Sequence, residues 1–261
     1  MRQRVRVPGM LNSMAAVVAL VVAALVTYGG PIPGTSADRP AAAAPTPDGP
    51  TRPSLGNYTY AVDGEEGATG FGSRRFPDQM TTVVHGGPGL APDEVVFDIT
   101  YSQEHVEREI VAYRGDGVYF TFEGGQVRFG PGTQTSEADY DPPMLQVPWP
   151  LQPGDTRTGV SKAKRGDGSV VRTENWKATV VGVEPVTAAG GSVEAWKVEV
   201  DRQSQPGSAE QLVRHRTYWY DPGRGIWVQF AETVHGERKA GPTTFTYDSR
   251  LTATLTGFTP A

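Results

Sequence analysis

The chain has 261 residues, no cysteine, 24 basic and 29 acidic side chains, and a formal net charge of −5. The first 55 residues hold five Arg against two Asp, so the remainder carries 19 basic and 27 acidic groups, a balance of −8. These counts exclude disulfides, thiolate chemistry, Cys-based zinc sites and a lipid-bearing cysteine, and an acidic domain without a basic patch argues against nucleic acid as a partner.

Arg2, Arg4 and Arg6 precede the apolar run Met14–Tyr28, and no charge follows until Asp38. A basic region followed by a hydrophobic one is the pattern of a signal peptide or a single membrane anchor. The small residues Thr35-Ser36-Ala37 lie far from the apolar run, which favours an uncleaved anchor over residues 1–30. Either form keeps the basic end in the cytoplasm and places the rest outside the membrane, anchored or secreted. Residues 31–55 are rich in Pro and Ala and read as a semi-extended linker.

From Tyr58 the hydrophobic period becomes two, and residues 56–261 read as one extracytoplasmic domain. Tyr58, Tyr60 and Val62 share a face, as do Val95, Phe97, Ile99 and Tyr101. Gly115-Asp116-Gly117 and Gly124-Gly125 join Val106–Tyr113, Val118–Phe122 and Gln126–Phe129 into a meander with tight turns. In the first of these, Val106, Ile110 and Tyr113 also suit one face of a helix. The Pro- and Gly-rich stretch 131–150 reads as a crossing loop. Further strands are expected at Val170–Val183, Val193–Val200, Gln211–Tyr220 and Ile226–Val234. Between the last two, Asp221-Pro222-Gly223 is turn chemistry, with positive φ expected at Gly223. Thr243–Leu255 alternates cleanly and spans roughly 43 Å at about 3.3 Å per residue. Strands of that length, polar on one side, belong to a large curved antiparallel sheet or an open half-barrel. The fold class is therefore all-β.

Leu151-Gln152-Pro153-Gly154-Asp155, Val180-Val181-Gly182-Val183-Glu184-Pro185-Val186, Ala188-Ala189-Gly190, Ala195-Trp196-Lys197-Val198 and Tyr218-Trp219-Tyr220-Asp221-Pro222-Gly223-Arg224-Gly225 form a recognisable series. Over about residues 145–235 the chain resembles the TapB-like family of bacterial exported β-rich domains. The resemblance rests on turn and strand positions; it implies a half-barrel wrapped around a core and implies no reaction.

Motifs that suggest catalysis lack their companions. His85-Gly86-Gly87-Pro88-Gly89 looks like a hydrolase oxyanion loop, but the chain has no Gly-x-Ser-x-Gly elbow. Ser161-Lys162-Ala163-Lys164 matches Ser-x-x-Lys without Ser-Asp-Asn or Lys-Thr-Gly and suits the approach to a hairpin turn. His85, His105, His215 and His235 are scattered, and Asp139 and Asp141 sit in the proline-rich stretch without a placeable partner acid, so no metal, cofactor or catalytic set is assigned. Of the tryptophans at 149, 176, 196, 219 and 227, Trp196 alternates in phase with Val198 and Val200 and reads as core. Trp227 is opposite in phase to Ile226, Val228 and Phe230 and is the candidate ligand-binding residue. The resulting expectation is a non-enzymatic binding or envelope-associated module, tethered to the membrane by its N-terminal segment, for an apolar small molecule or an envelope protein. A hydrolase assembled from several strands, or a protein-interaction domain, are the alternatives.

Overall fold

The computed structural model describes residues 49–240 and 243–261. The expected leader or anchor, and the linker up to residue 48, lie outside the described residues. Thirteen strands follow one another: β1 Gly56–Ala68, β2 Gly72–Arg75, β3 Gln79–His85, β4 Glu94–Ser102, β5 His105–Arg114, β6 Gly117–Phe129, β7 Gly132–Pro148, β8 Thr156–Lys164, β9 Val170–Ala188, β10 Gly191–Ser204, β11 Glu210–Asp221, β12 Ile226–Ala240 and β13 Thr243–Pro260. They form one large antiparallel sheet in meander order from β3 to β13. β1 lies between the ends: one edge pairs with β13 over Gly56–Ala68, and the other is shared between β3 and β2. The two ends of the sheet therefore meet, and the curved sheet closes into a barrel.

The wall has a thin seam between β7 and β8, and β2 has a ladder only on its β1 side. β7 and β8 pair only through Asp139–Asp141 and Lys162–Lys164. Pro142 and Pro143 follow at once, and neither can donate to a ladder. The stretch read from sequence as a crossing loop is thus strand for 17 residues. Its ladder to β6 breaks between Asp139 and Met144, so both prolines fall in an irregularity rather than in a pairing position. Val106–Tyr113 is strand, as the meander reading expects, and not the helix that Val106, Ile110 and Tyr113 would also suit: Val106 is exposed, while His105, Glu109, Val111 and Tyr113 are buried.

Along the barrel the interior changes character. At one end Tyr58, Tyr60, Phe97, Phe120, Met144, Tyr220 and Ile226 are buried in a continuous apolar core. Further along the same strands the inward positions become charged, at Glu66, His105, Glu109, Arg172, Glu174, Arg202, Arg214, Arg216 and Glu232.

Residues 51–54 lie across the apolar end. Arg52 donates to the carbonyls of Pro92 at 2.6 Å and Glu94 at 2.8 Å, and the Tyr58 hydroxyl donates to Ser54 O at 2.8 Å. Beneath this segment the β11–β12 turn departs from expectation. Asp221 Oδ1 accepts from the backbone N–H groups of Gly223 and Arg224, and Gly225 N donates to Asp221 O. The positive φ, 67°, belongs to Gly225 and not to Gly223. A Cβ on Gly225 would stand 2.0 Å from the Thr51 carbonyl oxygen, whereas one on Gly223 would meet only Asp221 Oδ1, at 3.3 Å. Gly225→Ala therefore combines backbone strain of about 1–3 kcal/mol with a clash against residue 51. It is expected to lower the melting temperature clearly more than Gly223→Ala, and equal shifts would contradict this geometry.

Candidate functional site

Every strand contributes alternate residues to the interior, so a charged residue in phase with a buried aromatic is carried inward with it. On β11, Arg214 and Arg216 continue the face of Tyr218 and Tyr220; on β10, Arg202 continues that of Val198 and Val200. Buried charges are tolerable only when paired and hydrogen-bonded, and here they pair with one another. Arg202 binds Glu174 Oε2 at 2.9 Å and Glu123 Oε2 at 2.8 Å, and Arg214 Nη1 reaches the same Glu123 oxygen at 3.0 Å. Arg172 binds Glu174 Oε1 and donates to the Tyr140 hydroxyl at 3.0 Å. Tyr140 in turn donates to Glu123 Oε2 at 3.2 Å. Arg216 pairs with Glu232, and with Glu109 Oε1 at 2.9 Å.

The balance of burial and partners decides each carboxyl. Burial opposes ionisation of Glu123, but the surrounding Arg214, Arg202 and Arg172 hold its pKa well below the usual range. Glu174 is lowered in the same way, burial being outweighed by Arg202 and Arg172. For Glu109 burial wins over Arg216, and the pKa is raised.

A second cluster adjoins this one. His105, 3% exposed, has Nδ1 at 2.9 Å from Glu66 Oε2 and Nε2 at 3.2 Å from Glu107 Oε1. Arg74 Nε donates to Glu66 Oε1 at 2.9 Å, and the Tyr247 hydroxyl donates to Glu66 Oε2 at 3.0 Å. With a carboxylate at each ring nitrogen, the imidazole donates twice and is held as the cation. Burial works against that charge, but the hydrogen bonds to Glu107 and Glu66 outweigh it, and the pKa rises to about 9.

Beside the clusters lies a cavity of about 130 Å³, lined among others by Glu107, Glu123, Arg172, Arg214, Phe245 and Tyr247. Two buried polar atoms of this lining have no hydrogen-bond partner: Glu107 Oε2 and Arg214 Nε. The nearest carboxylate oxygen to Arg214 Nε is Glu232 Oε2 at 3.5 Å, too distant for a strong hydrogen bond. Gly125 pairs with Glu107 across the β5–β6 ladder, and a Cβ there would stand 3.2 Å from the Val106 carbonyl oxygen and 3.3 Å from Glu107 Cγ.

Trp227 is not among the residues lining this cavity. It is 5% exposed, with its ring 4.5 Å from that of Tyr218 and 5.4 Å from that of Tyr220. The face assignment made from sequence is reversed by a bulge. Trp219 pairs with Gln229 and Tyr220 with Trp227, so Val228 is an extra residue that brings Trp227 into phase with Phe230. Trp196 is only partly buried at the edge of the core.

The scattered histidines all meet carboxylates. His85 reaches Asp98, His215 reaches Asp201 and His235 reaches Asp248, on the barrel's exterior. Among the described residues no group of three or more His, Asp or Glu is arranged to hold a metal ion. The hydroxyl of Ser161 accepts from Trp176 Nε1 at 3.1 Å, and Lys164 pairs with Asp141. The Glu–Arg–His interior went unread in the sequence, although Arg214-His215-Arg216 running into Tyr218 showed the phase.

Two outcomes test this description. Trp227→Ala should cost about 3–5 kcal/mol, as large-to-small core changes do, and Trp196→Ala distinctly less, in paired urea melts. For His105 the folded pKa lies above the ordinary value of 6.5, so its contribution is complete below pH 6.5 and is lost as pH rises through about 9. At 1.36 kcal/mol per pKa unit that loss is roughly 3 kcal/mol. Urea melts at pH 6.5 and 9.5 should show the decline, and His105→Gln should flatten it; a variant with the parental slope would place the titration elsewhere.

No family model matches this chain, and no curated protein matches it. Among solved structures, the hypothetical lipoprotein YmcC from Escherichia coli (K12) is similar over 77% of this chain and 88% of that chain, at 9% identity and a TM-score of 0.34. A likeness at that level carries no functional argument.

Proposed function

We propose that this chain is an exported, membrane-tethered binding module that takes a small polar ligand at the charged end of its barrel and catalyses no reaction. Export and tethering rest on the basic residues Arg2, Arg4 and Arg6 before the apolar run Met14–Tyr28. The observation that carries the binding reading is the cavity beside Glu107 and Arg214, where an acceptor and a donor of the ionic lattice stand unpartnered; the third unpartnered atom, Arg74 Nη2, lies away from this lining. The ligand expected from sequence was apolar. The apolar end, however, is filled by its own side chains, with Tyr60, Tyr218, Tyr220, Phe97 and Phe120 fully buried. The space beside Glu107 and Arg214 sets these two polar groups among apolar neighbours that include Phe245 and Tyr247.

The full-length chain, extracted from membranes in mild detergent, should carry an adduct of a small polar molecule in native mass spectrometry. Arg214→Lys, which removes Nε while keeping the charge, should reduce the adduct severalfold. Recovery of the chain in the cytosolic fraction, or extraction without any adduct, would count against the reading.

A further inference from the structure

The cavity's hydrogen-bonding demand and its charge balance can be taken together. Inside the barrel Arg172, Arg202, Arg214 and Arg216 face Glu109, Glu123, Glu174 and Glu232, and Arg74 and His105 face Glu66 and Glu107. The lining adds Glu210, met by Arg165, Arg172 and Arg238, and Glu237, met by His235, so each charged group has an opposite partner in reach without a guest. A guest of either net charge would bring an uncompensated ion into a site where charge is expensive unless paired.

From this balance we infer that the occupant is one ring of a neutral polyhydroxylated molecule, a sugar or a cyclitol; the inference rests on the binding reading above and deepens it. A hydroxyl both donates and accepts. It therefore meets the acceptor at Glu107 Oε2 and the donor at Arg214 Nε without altering the charge. An engineered cavity of about 150 Å³ admits benzene, so a volume of about 130 Å³ takes the carbon ring of such a molecule on one side only, and its remaining hydroxyls must stand toward the adjoining open space. Phe245 and Tyr247 in the lining offer apolar faces for the C–H side of such a ring. An open hollow of about 770 Å³ on the adjoining rim shares Glu107, Gly124, Gly125 and Glu210 with the cavity, so a second unit can continue outward from the first.

The experiment uses three probes with one ring and three charges: glucose, glucuronate and glucosamine, with myo-inositol and galactose as further neutral rings. Saturation-transfer NMR on the full-length chain in mild detergent should show transfer to at least one neutral ring, with glucuronate and glucosamine at least tenfold weaker. Phe245→Ala at the lining should weaken that binding about tenfold while leaving the melting temperature near that of the parent, and Gly125→Ala, whose Cβ would press on the Val106 carbonyl and on Glu107, should weaken it about tenfold with some loss of melting temperature. If glucuronate or glucosamine binds as well as the neutral rings and both substitutions weaken it, the neutral class is overturned and the binding reading stands. If neutral rings bind and neither substitution matters, the site is elsewhere and the inference fails. If no probe binds and native spectra show no adduct, the cavity holds water alone and both statements fall.

Discussion

Ion pairs sealed inside a closed β-barrel are the constraint on which the rest of this structure depends. Removing an arginine or a glutamate from water is costly. The cost is offset only if each charge finds oppositely charged and hydrogen-bonding neighbours at close range. Here Glu123 is shared by Arg202 and Arg214, and Arg216 bridges Glu109 on β5 to Glu232 on β12. Strands far apart in the meander are thereby tied across the lumen. Deleting one member would strand its partner, and by the usual scale for a broken buried pair that costs about 3–5 kcal/mol.

The lattice also constrains register. A strand slipped by one residue turns its inward set outward. For β11 such a slip would exchange Arg214, Arg216 and Tyr218 for Val213, His215 and Thr217, leaving Glu109 and Glu232 without their arginines and taking one of its cations from Glu123. Apolar side chains tolerate rough substitution, but a paired guanidinium demands one geometry. The two tiers of the interior divide the work accordingly: the apolar tier supplies burial, and the charged tier selects one alignment of the strands around it.

Closure has a similar logic. A sheet of this length has two edges, each a row of unpaired donors and acceptors open to other chains. β1 closes the sheet by pairing with β13 on one side and with β3 and β2 on the other, leaving only the four-residue β2 with an edge that has no ladder. The β7–β8 seam, where prolines take the place of donors, is a further thin place in the wall. The segment at residues 51–54 covers the apolar end, and the close approach of Thr51 explains why the adjoining turn requires glycine at 225.

Period-two alternation along Tyr58–Val62, Val95–Tyr101 and Phe245–Leu255 determined an all-β, antiparallel, curved sheet, because a strand's faces are written in its own residues. The same local information placed the turns near Gly115-Asp116-Gly117 and Asp221-Pro222-Gly223. It could not place the bulge at Val228, since a bulge is a mismatch between two strands, and so Trp227 was put on the wrong side. Strand β7 was hidden for a related reason: Pro142 and Pro143 forbid a ladder, but only the partner strands show that the ladder is interrupted there. The charged interior was legible in part, as Arg214 and Arg216 in phase with Tyr218 and Tyr220. That phase says a charge points inward; it does not say what meets it. Glu123 lies 91 residues from Arg214, and Glu109 lies 107 residues from Arg216. Whether such positions are buried ion pairs or an exposed polar face depends on which strands closure brings together, and only the tertiary structure decides that.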